Sequence, residues 1–110
     1  MGKDLGKSAT GLDANVAAML SYLAGFITGI IFILIEKDNK FVRFHAMQSI
    51  IVFGTIFVLQ TVFVFFPFFI MLLPLLGLLS LILWIVLMVK AYQGEMFKLP
   101  IAGDMASQKS

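Results

Sequence analysis

A chain of 110 residues that is 61% hydrophobic and 13% charged, with mean hydropathy +1.05, lies outside the range of soluble domains, which are roughly half apolar and a quarter charged. The composition implies one small membrane domain. The lack of cysteine excludes a disulfide framework, a thiolate metal site and a redox thiol, and the basic residues behind the net charge of +2 form no stripe that would suit nucleic acid.

Residues 1–13, MGKDLGKSATGLD, are glycine-rich and charged without a hydrophobic period, which predicts a mobile tail. LGKS at Leu5–Ser8 imitates the end of a phosphate-binding loop, but Met1 stands where the first glycine belongs and no strand precedes it. Gly6 likewise breaks the N-myristoylation pattern, which wants Ser or Thr at that position.

Ala14–Ile35 is the first expected span, 22 residues or roughly 33 Å as a helix, with Asp13 or Asn15 placed to cap it. The apolar run is longer than a signal-peptide core, and charges follow it instead of a cleavage site. Ala17, Ser21, Gly25 and Gly29 recur at every fourth residue and form a small-residue line along which a neighbouring helix, or a second copy, can approach closely.

Glu36–Lys40 is a short turn, and Asp38 or Asn39 suits the cap of a second helix. In its first turns Phe41, Phe44, Met47 and Ile50 share one face, while His45, Gln48 and Ser49 share another. Residues 44–89 carry no charge, and a helix of that length, roughly 69 Å, would cross a membrane twice over, so the chain turns back. Pro67 and Pro74 place the break, giving spans of about 41–66 and 68–92, with Pro74 either in the turn or kinking the third helix. Beyond Gly94, EMFKLPIAGDMASQKS alternates apolar and charged residues around Pro100, as a segment lying along the membrane surface would.

The expected fold is thus an all-α integral membrane protein, a three-helix up-down-up bundle over 14–93 with an interfacial tail over 94–110. Three spans put Lys37, Lys40, Arg43, Lys90, Lys98 and Lys109 on one side and Lys3 and Lys7 on the other, which predicts the N-terminus outside the plasma membrane and the C-terminus in the cytoplasm.

Catalysis would have to use the sole histidine, His45, with Ser49 and with Glu36 or Asp38 across the turn. One imidazole, with carboxylates confined to surface ends, argues for no enzyme, no metal and no cofactor. The absence of mid-depth ionisable groups argues against a proton-coupled pump. Tyr22 and Gln60 are expected at similar depth and so as an intramembrane polar pair, and Trp84 as a packing residue inside the bundle.

The stretches KDNKFVRFHAMQS at Lys37–Ser49, KAYQGEMFKLPIAGDMA at Lys90–Ala106 and TGLDANVAAMLSYL at the start of the first span resemble a family of small prokaryotic membrane proteins of unknown function. That family is distantly related to the membrane import component of the chloroplast inner-envelope Tic translocon. The resemblance covers about Thr10–Ala106, and Arg43, Phe44, His45, Gln48, Gly94, Leu99, Pro100, Gly103 and Asp104 match its motif positions. The plastid protein has four spans against three counted here, so its import activity is not carried over.

Two functions follow as expectations. In the first, the turn and tail form one cytoplasmic interaction surface for a protein partner or a second copy, with Arg43 near Asp104 or Glu95 and His45 covered by Leu99–Ile101. Such a scaffold would serve translocation or membrane-complex assembly. In the second, several copies line a conduit for a small solute, ion or polypeptide.

Overall fold

Helix starts and stops in this chain are set by a few polar side chains and two prolines acting on an almost uniformly apolar sequence. The computed structural model describes residues 6–110, and it is all-helical, with no strand among the described residues. The order is α1 (Ala14–Leu20), α2 (Phe26–Ile35), α3 (Lys40–Phe65), α4 (Pro67–Ile70), α5 (Leu73–Tyr92) and α6 (Ala102–Lys109). Two of these, α3 and α5, are long and apolar enough to cross a membrane.

Asn39 starts α3 by accepting from the amides of Phe41 (3.1 Å) and Val42 (3.2 Å). The buried Glu36 carboxylate, only 2% exposed, accepts from Asn39 N (3.2 Å) and from Ala9 N (2.6 Å). Pro67 opens α4 and Pro74 lies in the first turn of α5, where the lost amide costs nothing, so Pro74 starts the helix and does not kink it. Phe63 and Phe69 stack across the turn with centroids 5.1 Å apart.

The expected first span is broken. Residues 21–25 form a turn at whose end Gly25 has φ +63°, a left-handed value that L side chains adopt only at a cost. The chain then reverses: Ala9 reaches Glu36, and Asn15 Nδ2 donates to Tyr92 O at 3.0 Å, so the start of α1 lies beside the end of α5. Asp13 forms an ion pair with Lys7 (2.6 Å) and makes no side-chain cap. Antiparallel α2 runs along α3, with the Phe26 and Phe57 rings 5.3 Å apart and the 21–25 turn opposite Ser49 and Phe53. Ser49 and Phe53 lie roughly 14–20 Å from the start of α3, about the middle of a ~30 Å hydrocarbon core. The segment 14–35 is therefore a re-entrant hairpin and not a spanning helix.

Three expectations change as a result. The small-residue line does not exist as one face: Ala17 and Ser21 sit on or beside α1, Gly25 is the turn and Gly29 is on α2. The termini do not divide between two sides, because Ala9 lies beside Glu36 and Ser110 beside Arg43. Residues 6–13 are not a free tail, since Lys7 and Ala9 are bonded to Asn39 and Glu36, while the first five residues of the expected tail, with Lys3, fall outside the described range.

The C-terminal segment also turns inward instead of lying along the surface. From Gly94 it runs without helix past His45 and Gln48 to Pro100 and Ile101, which lie beside Ile51, Thr55 and Leu59 of α3. Then α6 returns along α3 until Ser110 O accepts from Arg43 Nε at 2.8 Å. Gly103 makes this second reversal fit, since a Cβ there would lie 2.4 Å from Lys98 Cβ and 2.6 Å from its Cα. Every buried residue follows from this inward packing: none is found between Phe53 and Val86.

Single cysteines replacing Thr10, Lys37 and Gln108 should all react alike with a membrane-impermeant thiol reagent, and one replacing Met71 should behave oppositely. Thr10 behaving like Met71 would restore the spanning first helix. Gly25→Ala should cost about 1–2 kcal/mol through its positive φ, and Gly29→Ala about 1–3 kcal/mol, because its Cβ would come within 2.8 Å of Ala46 O. Exposed Ile31→Leu should leave thermal stability in detergent nearly unchanged.

Candidate functional site

The polar face of α3 organises the interior. His45 and Gln48 are one turn apart and fully buried, and they meet Tyr22 from the re-entrant hairpin on one side and the inward tail on the other. Tyr22 Oη lies 2.7 Å from His45 Nδ1 and 3.0 Å from Gln48 Nε2. His45 Nε2 lies 2.8 Å from Glu95 O, and a carbonyl can only accept, so Nε2 carries the proton. Nδ1 of the neutral ring then accepts, Tyr22 donates to it, and Gln48 donates to the Tyr22 oxygen. The direction of each bond in the chain is thereby fixed by the next.

Gln48 finishes the arrangement by holding the tail as a neighbouring strand would. Its Nε2 donates to Phe97 O (2.9 Å) and its Oε1 accepts from Leu99 N (3.1 Å). Phe41, Phe44 and Tyr22 enclose the imidazole edge-on, with centroids 4.6, 5.0 and 5.4 Å away. The hairpin turn is satisfied in the same way: Trp84 Nε1 donates to Tyr22 O (2.7 Å), Ser49 Oγ to Gly25 O (2.8 Å) and Thr28 Oγ1 to Ser21 O (3.0 Å). Non-helical backbone at membrane depth persists only when such partners are supplied. Among the described residues, no buried side-chain nitrogen or oxygen lacks one.

Arg43 is a second anchor, and it binds main-chain oxygens instead of acidic side chains. Its guanidinium donates to Ser110 O, to Ile33 O (3.1 Å) and to Glu36 O, joining the ends of α2, α3 and α6. The expected partners Asp104 and Glu95 are not used: Asp104 is exposed, and Glu95 pairs with Lys90 at 3.1 Å.

The expected motif residues therefore divide. Phe44, His45, Gln48, Gly94 and Gly103 are buried and hold the tail from within, while Pro100 and Asp104 are exposed and Leu99 and Arg43 lie between. His45 is met by Glu95 O and not by Leu99–Ile101. The Tyr22–Gln60 pair does not form, since Tyr22 bonds His45 and Gln48 and Gln60 lies roughly 18 Å beyond Gln48 along α3. Sequence reasoning missed Glu36, Thr28, Ser49 and Trp84 as partners of bent backbone, whereas Asn39 is one of its two cap candidates. Their signal was a polar residue within a turn or two of each glycine or charged break. Among the described residues, no three or more His, Asp or Glu side chains group as metal ligands.

The profile of the Magnetosome magnetite crystal formation protein family matches residues 11–106, the stretch that holds both inward segments and both spanning helices. The chain belongs to this family. Among relatives, a UPF0132 membrane protein of Methanocaldococcus jannaschii is 54% identical over 106 residues, covering 96% of each chain. One from Archaeoglobus fulgidus is 51% identical, over 89% of this chain and 96% of its own. A second from M. jannaschii is 42% identical, over 91% of this chain and 72% of its own. No solved structure matches. These family members are named as membrane proteins, in keeping with α3 and α5, and the matches lend no support to the expected kinship with the Tic component.

Tyr22→Phe should leave His45 Nδ1 without its donor and Gln48 Nε2 without one of its two acceptors, costing about 1–3 kcal/mol by thermal unfolding in detergent. Gln48→Leu should in addition free the tail, so that limited proteolysis cuts between Glu95 and Lys98 well before the wild type is cut there. Equal protection would show that the tail is held by α6 alone.

Proposed function

We propose that the protein is a membrane-embedded scaffold whose charged end recognises a protein partner or a second copy, and that it has no catalytic role. One observation carries the reading. The charged residues cluster toward one end, around 6–13, 36–43, 90–98 and 104–110, while the polar groups within the membrane are consumed by the protein's own backbone. A side-chain network fully occupied in holding loops has nothing left to offer a substrate or an ion.

The conduit reading lacks a path. Beyond the hairpin turn the polar residues are few, and Thr61 and Ser80 bond to their own helix at Phe57 O and Leu76 O, both 2.9 Å. Cytoplasmic placement of the charged end is favoured by the positive-inside rule, now with Lys7 on the same side as Lys37, Arg43 and Lys90. The N-terminus then faces the cytoplasm together with the C-terminus. A scaffold is compatible with membership of a family described by magnetosome magnetite crystal formation. Translocation, the other setting raised by the sequence, has no comparable support.

A photo-crosslinking residue placed at Lys37, Asp38 or Gln108 in cells should yield discrete protein adducts, and one placed at lipid-facing Leu75 should yield none. Ion or solute flux from liposomes bearing the purified chain, without adducts at the charged end, would replace the scaffold with the conduit.

A further inference from the structure

Mass is distributed unequally along the membrane normal. The half of the protein nearest the charged end contains α1, α2, the start of α3, the end of α5, the 94–101 segment and α6, whereas the other half contains α3 and α5 with only the short α4 between them. Both inward segments stop short of the far ends of α3 and α5: the first opposite Ser49 and Phe53, the second at Pro100 and Ile101, which line one cavity with Ile51, Thr55 and Leu59. The absence of any buried residue from Phe53 to Val86 records the same fact, because two helices alone enclose nothing. A helix with side chains is about 10 Å across, so the extra elements add roughly 250–300 Å² of cross-section to one leaflet only.

We propose that this asymmetry makes the protein a membrane-curvature element, with its crowded, charged end in the convex leaflet. A wedge inserted in a flat bilayer either leaves the narrow side underfilled or compresses lipids on the broad side. Curvature toward the broad end relieves both. The hydrogen bonds that hold the inward segments to α3 and α5 keep the wedge stiff: without Trp84 on Tyr22 O, Ser49 on Gly25 O and Gln48 on Phe97 O, bent backbone at that depth would be driven to straighten or leave. Preference and bending are linked, since a molecule that binds curved membrane more tightly favours the curved state by the same free energy. With the charged end in the cytoplasm, the membrane would bulge toward the cytoplasm. The proposal needs no protein partner, so it stands or falls separately from the scaffold reading.

The test uses the full chain, carrying one cysteine at Lys37, reconstituted by one procedure into small sonicated and large extruded phospholipid vesicles. An impermeant thiol reagent applied outside, then again after detergent, gives the fraction of molecules with the charged end outward. Small vesicles should favour the outward orientation by about threefold over large ones, with the tail equally protected from protease in both. Equal orientation ratios in the two vesicle sizes, with the tail protected, overturn the proposal. Gly54→Ala, at an open position with no neighbour for its Cβ, should keep the wild-type ratio in each size, and a shift there as large as the size effect would also overturn it.

Discussion

The structure depends on one constraint: a peptide group that leaves helical geometry inside a bilayer must find a partner from the protein. The chain breaks helix twice against the polar face of α3, at 21–25 and at 94–101, and each break is answered by donors and acceptors from neighbouring helices. Leaving even one such group unpaired in hydrocarbon costs several kcal/mol. The polar residues of α3, α5 and α2 that meet these breaks therefore have a structural task. They are the condition under which the bent segments can stay within the membrane.

Seen this way, the motif RFHAMQS is a structural device. Arg43 gathers helix ends, His45 and Gln48 join the hairpin to the tail, and Ser49 secures the turn glycine. Burial of His45 and Gln48 removes them from any outside partner, so in the proposed scaffold recognition would fall to the charged residues around them. The family match, extending over residues 11–106, includes both bent segments as well as both spanning helices.

Much of this was legible in the sequence. The membrane character, the Asn39 cap, the proline turn, α3 and the shared face of His45, Gln48 and Ser49 all follow from composition and period, because local patterns specify local structure. The re-entrant hairpin did not, because a run of 22 apolar residues is long enough to span and hydropathy cannot see a turn. Gly25 at φ +63° was read as a packing residue when its conformational freedom was what mattered. The Tyr22–Gln60 error has the same origin: depth was counted along a straight helix, and the reversal put Tyr22 opposite His45 instead. The tail was taken for a surface segment because apolar and charged residues alternate around Pro100; Lys98 and Asp104 are indeed exposed, but the backbone before and between them packs against α3.

The Gln48 clamp also bears on how the protein is made. Its partners at Phe97 and Leu99 are 49 and 51 residues further along the chain, so when α3 enters the membrane the amide has no tail to hold. His45 waits likewise for Glu95. Until translation delivers those groups, the polar face of α3 must be served by water or by an insertion factor, and the hairpin has only part of its support. The tail thus reaches α3 only after some 50 further residues have been made, and its docking is what closes the interior around His45 and Gln48.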